Sequence, residues 1–112
     1  MQLVNVDDLT VSDTVRRFEG ADQGTSSVSF FVIEGGAPGS GPALHRHTYD
    51  ETFLVQRGRV RFSVGGETIV AGPGAIAVAP AQTPHKYLLL GPDTSNMVCI
   101  HASPRMVTEW LE

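Results

Sequence analysis

Apolar residues along this chain occur in short runs, and glycine and proline repeatedly interrupt those runs. Val60, Phe62 and Val64 alternate with polar residues, and side chains two positions apart project from the same face of a strand. Comparable runs predict nine strands, over residues 15–18, 27–33, 43–47, 51–56, 59–64, 67–71, 75–79, 85–90 and 96–101. No run shows the sustained periodicity of a helix. Many short strands joined by close turns indicate an all-β sandwich or barrel.

Two junctions between these strands contain glycine where a tight hairpin is expected. Gly65 and Gly66 can both adopt the positive φ that a type I′ turn requires. Arg57-Gly58 is predicted to form a similar hairpin one strand earlier. The C-terminal residues 103–112 begin with serine and proline, which favour a helix start. The tail is therefore expected to be either a short helix or irregular.

Length and composition favour one globular domain spanning residues 1–112, with 41% hydrophobic and 18% charged residues. A formal charge of −4 without a basic cluster argues against binding to nucleic acid or to an anionic membrane. Cys99 is the only cysteine, so no intramolecular disulfide can form, which suits a reducing compartment. The N-terminus lacks a signal-peptide pattern, and no apolar run is long enough to span a bilayer. We therefore expect a cytoplasmic protein.

Two histidines one residue apart, followed by a glutamate, form the most specific chemical cluster in the chain. His45, His47 and Glu51 are separated by even numbers of positions, so they share one face as long as the chain stays extended. A third imidazole, that of His85, would have to arrive from a neighbouring strand. A lone His-x-His is more often exposed or hydrogen-bonded to backbone. This strand face, however, continues with apolar residues from Phe53, which indicates that it points toward the core. A carboxylate on such a face needs a compensating cation. Three imidazoles and a carboxylate suit divalent manganese, iron, cobalt, nickel, copper or zinc.

The spacing of these residues resembles the first motif of the cupin superfamily. That motif is a glycine, five residues, His-x-His, three or four residues, a glutamate, six residues and a glycine. Every spacing is matched here, by Gly39, His45, His47, Glu51 and Gly58. The match is specific because five positions are fixed relative to one another.

A second cupin motif is matched in part. It consists of a glycine, five residues, Pro-x-Gly, two residues, a histidine, three residues and an asparagine. Gly74, Pro80 and His85 occupy their positions in this motif. Gln82 replaces the expected glycine and Leu89 replaces the asparagine. The turn before the histidine and part of the pocket wall are therefore expected to differ from the family pattern.

The resemblance implies a double-stranded β-helix, the jelly-roll barrel of small single-domain cupins. It also implies that a divalent transition metal is coordinated inside the barrel by the matching residues His45, His47, Glu51 and His85. We expect iron or manganese first, with zinc, nickel, cobalt or copper as alternatives. Many small cupins pair through edge strands, so a homodimer is also expected.

The expected function depends on the coordination positions of the ion that the protein leaves free. Four protein ligands around an ion that prefers six leave two positions for a small-molecule ligand or substrate. We expect an enzyme acting on an enolate- or carboxylate-bearing molecule, as a dioxygenase or as an isomerase, cyclase or lyase. The alternative is a non-catalytic cupin in which the ion anchors a ligand or braces the barrel.

Two further side chains are candidate catalytic residues. Tyr87 has the parity of His85 and could present its hydroxyl to the pocket, with a packing role as the equal alternative. His101 could act as a general acid or base if its strand turns that face inward, and a surface or supporting histidine is the alternative. Cys99, on the same face, is expected to be a buried small hydrophobe. Tyr49 has the parity of the predicted ligands, but its tight turn leaves it free to face solvent.

Overall fold

The computed structural model describes residues 1–112 and consists mainly of antiparallel strands. Its ten strands are β1 Val15–Glu19, β2 Ser29–Gly36, β3 His45–Arg46, β4 Glu51–Arg57, β5 Arg59–Val64, β6 Glu67–Ala71, β7 Ile76–Ala79, β8 His85–Leu90, β9 Ser95–His101 and β10 Glu109–Trp110. The helices are two short 3₁₀ segments, Val6–Leu9 and Gly20–Asp22. No helix is long and apolar enough to cross a membrane.

The strands form two five-stranded sheets, in the orders β1-β2-β9-β4-β7 and β10-β3-β8-β5-β6. Neighbouring strands within each sheet are antiparallel. Strands that follow one another in sequence, such as β3 and β4, often belong to different sheets, so the chain passes repeatedly from one sheet to the other. This is the jelly-roll arrangement of a double-stranded β-helix, and the predicted all-β fold class is confirmed.

The inward faces of the two sheets enclose the hydrophobic core. Nine buried apolar residues form it: Ile33, Phe53, Val55, Val60, Phe62, Ala79, Leu89, Met97 and Cys99. Along β9, inward and outward positions alternate without interruption, so that Cys99 and His101 project in the same inward direction. The core therefore continues directly into the polar cluster at one end of this strand.

Local patterning predicted most of the strands correctly. The bounds of β5, β6 and β8 are those predicted from alternation and turn residues. Gly65 and Gly66 have φ angles of 57° and 88°, and Val64 pairs with Glu67 across them, which confirms the predicted hairpin. The strand predicted over 43–47 is shorter, because only the two residues of β3 keep ladder pairing.

The hairpin predicted at Arg57-Gly58 is wrong. Strand β4 pairs with β7 and β9, whereas β5 pairs with β6 and β8, so the chain changes sheet at this point. Gly58 has a φ of 85°, and a Cβ atom at this position would collide with the Ser95 side chain. Glycine is needed here for a corner between sheets and for the close approach of β9.

The C-terminal tail contains the short strand β10 in an otherwise irregular segment, and it is not helical. No helix forms over residues 103–112, and Glu109 and Trp110 instead pair with Arg46 and His45. Backbone groups of the tail are thus satisfied by β3 rather than within a helix. This pairing places the tail beside the strand that carries the first histidine of the cluster.

Candidate metal centre

Strand pairing brings two of the imidazoles together. His45 in β3 lies directly opposite His85 in β8, and their ring centroids are 4.4 Å apart. Directly opposed residues of antiparallel strands project their side chains on the same face of the sheet. The histidine of the second motif therefore reaches the first motif through an ordinary antiparallel pair.

Glu51 reaches this pair from the opposite sheet. The shared face expected for His45 and Glu51 requires the chain to stay extended between them, but β3 ends at Arg46 and β4 begins at Glu51 in the other sheet. His47 lies in the segment that crosses between the sheets. The chain therefore does not stay extended between these residues, and their side chains converge because it passes from one sheet to the other.

The four side chains meet at one buried point. Nε2 of His47 lies 3.0 Å from Oε1 of Glu51, and Nε2 of His85 lies 3.1 Å from the same oxygen. One donor atom from each residue, including His45, lies within 4.8 Å of the others. None of the four residues is more than 6% exposed. The structure thus brings together all four predicted ligands.

Each of the three imidazoles is oriented by its second ring nitrogen. The Nδ1 atoms donate to backbone carbonyls at 2.8–2.9 Å, in the pairs His45–Ala43, His47–Val107 and His85–Thr83. A carbonyl oxygen can only accept, so Nδ1 carries a proton, and in the neutral form of each ring Nε2 would present a lone pair to the centre of the cluster. Backbone contacts of this kind fix the tautomer and ring orientation of metal-binding histidines.

The chemistry of the donor set fits a divalent ion. Imidazole lone pairs and a carboxylate oxygen are all acceptors, and acceptors 3.0 Å apart repel unless a cation or proton lies between them. Two donors at right angles on metal bonds of about 2.1 Å lie about 3.0 Å apart. The distances of 3.0 and 3.1 Å from Glu51 agree with that separation. Nitrogen donors with one carboxylate favour a transition metal over calcium.

Electrostatics keep a negative charge in the cluster. Burial by itself raises the pKa of the Glu51 carboxyl, but the imidazoles of His101, His47 and His85 outweigh burial and hold that pKa well below its usual range. Burial lowers the pKa of His45 below its ordinary value. Burial also opposes protonation of His85, but its ring contacts both the Glu51 carboxylate and a backbone carbonyl. Together these two contacts outweigh burial and raise the pKa of His85. A carboxylate held ionised in a buried site favours a cationic guest.

Tyr49 and His101 extend the cluster beyond the predicted ligands. The Tyr49 hydroxyl accepts a hydrogen bond of 3.1 Å from the Val107 N–H and lies 2.7 Å from Nδ1 of His101. Burial raises the pKa of Tyr49 to about 12, so the hydroxyl keeps its proton and can donate it to His101 when Nδ1 of that ring is unprotonated. On its other side, Nε2 of His101 lies 3.2 Å from Oε2 of Glu51 without the alignment of a hydrogen bond.

Sequence reasoning did not identify this role of Tyr49. Its partner His101 lies 52 residues away in sequence, and its strand parity was the single signal in its favour. The face of β9 that carries His101 does point inward, with the residue 2% exposed. Cys99 on the same face is buried, and burial raises the pKa of its thiol well above the ordinary value. The thiol is therefore neutral and behaves as a small apolar group.

A cavity of about 320 Å³ opens beside the cluster. Its wall includes the donors His45, His47 and Glu51, together with His101 and Tyr87. Burial raises the pKa of the Tyr87 hydroxyl, which keeps that group a neutral hydrogen-bond donor. The volume lies at the small end of the range for small-molecule sites, roughly 300–1,000 Å³. The arrangement can therefore hold a small organic molecule against the donor cluster.

Solved structures of low sequence identity share this architecture. A double-stranded β-helix protein from Klebsiella pneumoniae matches 100% of this chain and 98% of its own, with a TM-score of 0.74 and 22% identity. The polyketide cyclase RemF from Streptomyces resistomycificus matches over 100% and 86%, with a TM-score of 0.73 and 17% identity. Oxalate decarboxylase from Bacillus subtilis gives a TM-score of 0.80 at 16% identity, over 96% of this chain and 32% of its own. This chain therefore spans about a third of that enzyme, and these identities show the fold alone.

Sequence comparison identifies the family. A search of curated proteins finds no match to this chain. The family model described as Cupin domain matches residues 29–101, which is more than half of the chain. That span contains the four clustered donors as well as Tyr87 and His101. Together with the jelly-roll architecture, this match shows that the chain belongs to the cupin domain family.

Proposed function

We propose that this chain is a metal-dependent enzyme acting on a small organic molecule, as a dioxygenase or as an isomerase, cyclase or lyase. The orientation of the donors carries the proposal: three Nε2 atoms and the Glu51 carboxylate converge, and each Nδ1 is held by a backbone carbonyl. A purely structural ion is usually closed by protein ligands on all sides. Here a cavity of about 320 Å³ adjoins the donors, which supports an ion that is accessible to substrate.

Iron or manganese is the proposed ion, held by His45, His47, Glu51 and His85. When bound, a divalent ion of this kind supplies Lewis-acid stabilisation of negative charge on a ligand oxygen. Imidazole and carboxylate donors accept either metal. A solved structure of Bacillus subtilis oxalate decarboxylase, a fold neighbour at 17% identity, concerns its Mn(II) centres. That neighbour supports testing manganese alongside iron.

The residues of the chain itself are proposed to bind and orient the substrate. Tyr87 keeps its proton and lines the cavity, so its hydroxyl can donate a hydrogen bond to a substrate oxygen. His101 lines the same cavity, and the hydrogen bond from Tyr49 holds its Nδ1 side in place. We assign to His101 the role of holding or moving a proton at Nε2, beside Glu51.

Metal content is the first test of this function. Protein purified without added metal is expected to contain about one transition-metal ion per chain, and its melting temperature is expected to rise when metal is restored. His47→Ala and His85→Ala should lose the ion, whereas Arg61→Ala, on the exposed outer face of β5, should retain it. Oxygen-uptake assays and substrate screens on the loaded protein then test turnover. Wild-type protein that neither contains nor gains metal would rule out the proposal.

The second candidate function is a structural one, in which the ion only stabilises the barrel. The sheet topology favours this role. His45 and His85 belong to one sheet, whereas Glu51 belongs to the other. An ion held by all of them would therefore tie the two sheets together. In this case the Ala variants of the ligands should all lose similar stability, and no ligand should bind in the cavity. Turnover or ligand binding that depends on the ion would exclude a role limited to bracing.

A further inference from the structure

The cavity beside the proposed metal centre contains no lysine or arginine side chain. Apart from the imidazoles and carboxylate of the cluster, its ionisable groups are Tyr87 and Cys99, a phenol and a thiol that carry no positive charge in any protonation state. Arg61 and Lys86 line a separate depression, and the Arg16 guanidinium is paired with an aspartate at 3.5 Å. No lysine or arginine is therefore placed to neutralise a ligand in this cavity.

The rest of the cavity wall is largely apolar. Both sheets contribute to it, through Val15, Phe31, Ile33, Leu89 and Trp110. Leu89 stands where the cupin pattern has asparagine, and it is 2% exposed. The chain thus presents a branched hydrocarbon at a position where the family pattern has a hydrogen-bonding amide. An apolar wall excludes water and strengthens electrostatic interactions inside the cavity.

Charge balance limits the ligands that this cavity can hold. Glu51 carries the one carboxyl group in the wall, so a divalent ion bound to its carboxylate would carry, together with it, a formal charge of about +1. One negative charge on a ligand would be neutralised by that centre. A second would remain buried without a cation, which is strongly unfavourable in an apolar site.

We propose that the cavity selects a small, mostly apolar ring compound with two neighbouring oxygen atoms and at most one negative charge, and that it discriminates against small dianions. This inference rests on the proposed function, because it takes the ion as present. Two oxygen atoms are specified because four protein donors leave room for two more ligands on an ion that prefers six. The Tyr87 hydroxyl donates to one of these oxygens, and Phe31 and Leu89 pack against the ring.

A matched pair of probes tests the charge limit. Tropolonate is a seven-membered ring monoanion with two adjacent oxygens, and oxalate is a dianion whose two oxygens are also joined through two carbons. Manganese-loaded protein is titrated with each probe by calorimetry, and its metal content is measured before and after. We expect tropolonate to bind at least about tenfold more tightly than oxalate, with the ion retained.

Placing a cation in the cavity provides the control, because it leaves the intrinsic chelating strength of each probe unchanged. Thr14 lines the cavity at the start of β1. Thr14→Lys is expected to raise oxalate affinity at least about tenfold, while Thr14→Met, of similar length without the charge, should not. Trp110→Lys and Trp110→Met repeat the comparison from the other sheet, in case the first pair does not fold.

The outcomes separate the two proposals. Wild-type protein that retains its ion and binds oxalate as tightly as tropolonate overturns the inference and leaves the metal centre standing. Loaded protein that binds neither probe, or that gives up its ion to either, also overturns the inference. Lysine variants that bind oxalate no better than their methionine counterparts contradict the charge argument. Protein that takes up no metal at all removes the proposed function itself.

Discussion

The backbone carbonyl of Val107 accepts a hydrogen bond of 2.8 Å from Nδ1 of His47, 60 residues earlier in the chain. The segment 107–112, here called the C-terminal strap, runs beside β3 through the β10 pairing. Its position is fixed further by a hydrogen bond of 2.9 Å from the Leu111 N–H to the Leu44 carbonyl. The strap therefore orients one of the four clustered donors although it contributes no donor itself.

Deleting the C-terminal strap, residues 107–112, is expected to weaken metal binding about 10- to 100-fold, because His47 loses the acceptor that fixes its tautomer. The measurement is a competition titration against a chelator of known affinity. Glu109→Ala is the control, since it removes an exposed ion pair of 2.8 Å with Arg46 and leaves Val107 in place. That variant should change affinity only a few-fold. Equal affinity in the deletion and the wild type would show that the strap does not orient the site.

Tyr87→Phe separates substrate binding from metal binding. Tyr87 lines the cavity, and removal of its hydroxyl is expected to weaken substrate or probe binding about 3- to 10-fold through loss of one hydrogen bond. Metal content should stay at the wild-type level, because Tyr87 is not among the clustered donors. Calorimetric titration with tropolonate and elemental analysis provide the two readouts. If probe affinity does not change, the ring has a packing role only.

Metal affinity is expected to fall as pH is lowered, because protons compete for the Nε2 lone pairs. Burial opposes protonation of His85, but contact with Glu51 raises its pKa overall above the ordinary 6.5. Proton competition at His85 should therefore begin near or above that pH. Burial lowers the pKa of His45 below 6.5, so its protonation adds to the loss only at lower pH. Chelator competition between about pH 7.5 and 5 measures the trend, and a flat affinity would contradict the three-imidazole assignment.

Gln82 occupies a backbone conformation that favours glycine. Its φ is 65°, at the position where the second cupin motif has glycine. A side chain costs about 1–2 kcal/mol in this region, while glycine costs about 0.5–1 kcal/mol in extra chain entropy. Gln82→Gly is therefore expected to raise the free energy of unfolding by up to about 1 kcal/mol. Denaturant unfolding provides the measurement.

Ala81→Gly is the matched control for Gln82→Gly. It lies in the same turn without a positive φ, so it should lower the free energy of unfolding by about 0.5–1 kcal/mol through chain entropy alone. Equal destabilisation by both variants would show that Gln82 carries no backbone strain.

A homodimer through the edge strands β6 and β7 is a further prediction. These strands end their sheets and expose Ile69, Val70, Ile76 and Val78, which are between 49% and 66% exposed. Exposed apolar edge strands favour pairing with a second copy. We expect a dimer in sedimentation experiments and a monomer for Ile76→Glu. Val11→Glu, at an exposed apolar position outside these strands, should remain dimeric, and a monomeric wild type would remove the prediction.

Local patterning and motif spacing predicted nine of the ten strands and all four clustered donors. Alternation is a property of adjacent residues, so it places Val60 and Phe62 on one face of their strand from their neighbours alone, and both are buried. The Gly65-Gly66 hairpin could likewise be predicted from neighbouring residues alone, because two adjacent positive φ angles specify it. The spacing of the cupin motif added His85, which no local pattern could connect to the other donors.

How those donors meet, and which groups surround them, depends on contacts between distant parts of the chain. Strand parity suggested a continuous path to Glu51, but the chain changes sheet first, because a jelly roll closes its core by passing successive strands between two layers. Tyr49 and Val107 enter the site through contacts 52 to 60 residues distant in sequence. Such contacts depend on how two sheets and a tail pack, and the free energy of that packing is shared over many residues. No short stretch of sequence carries that information.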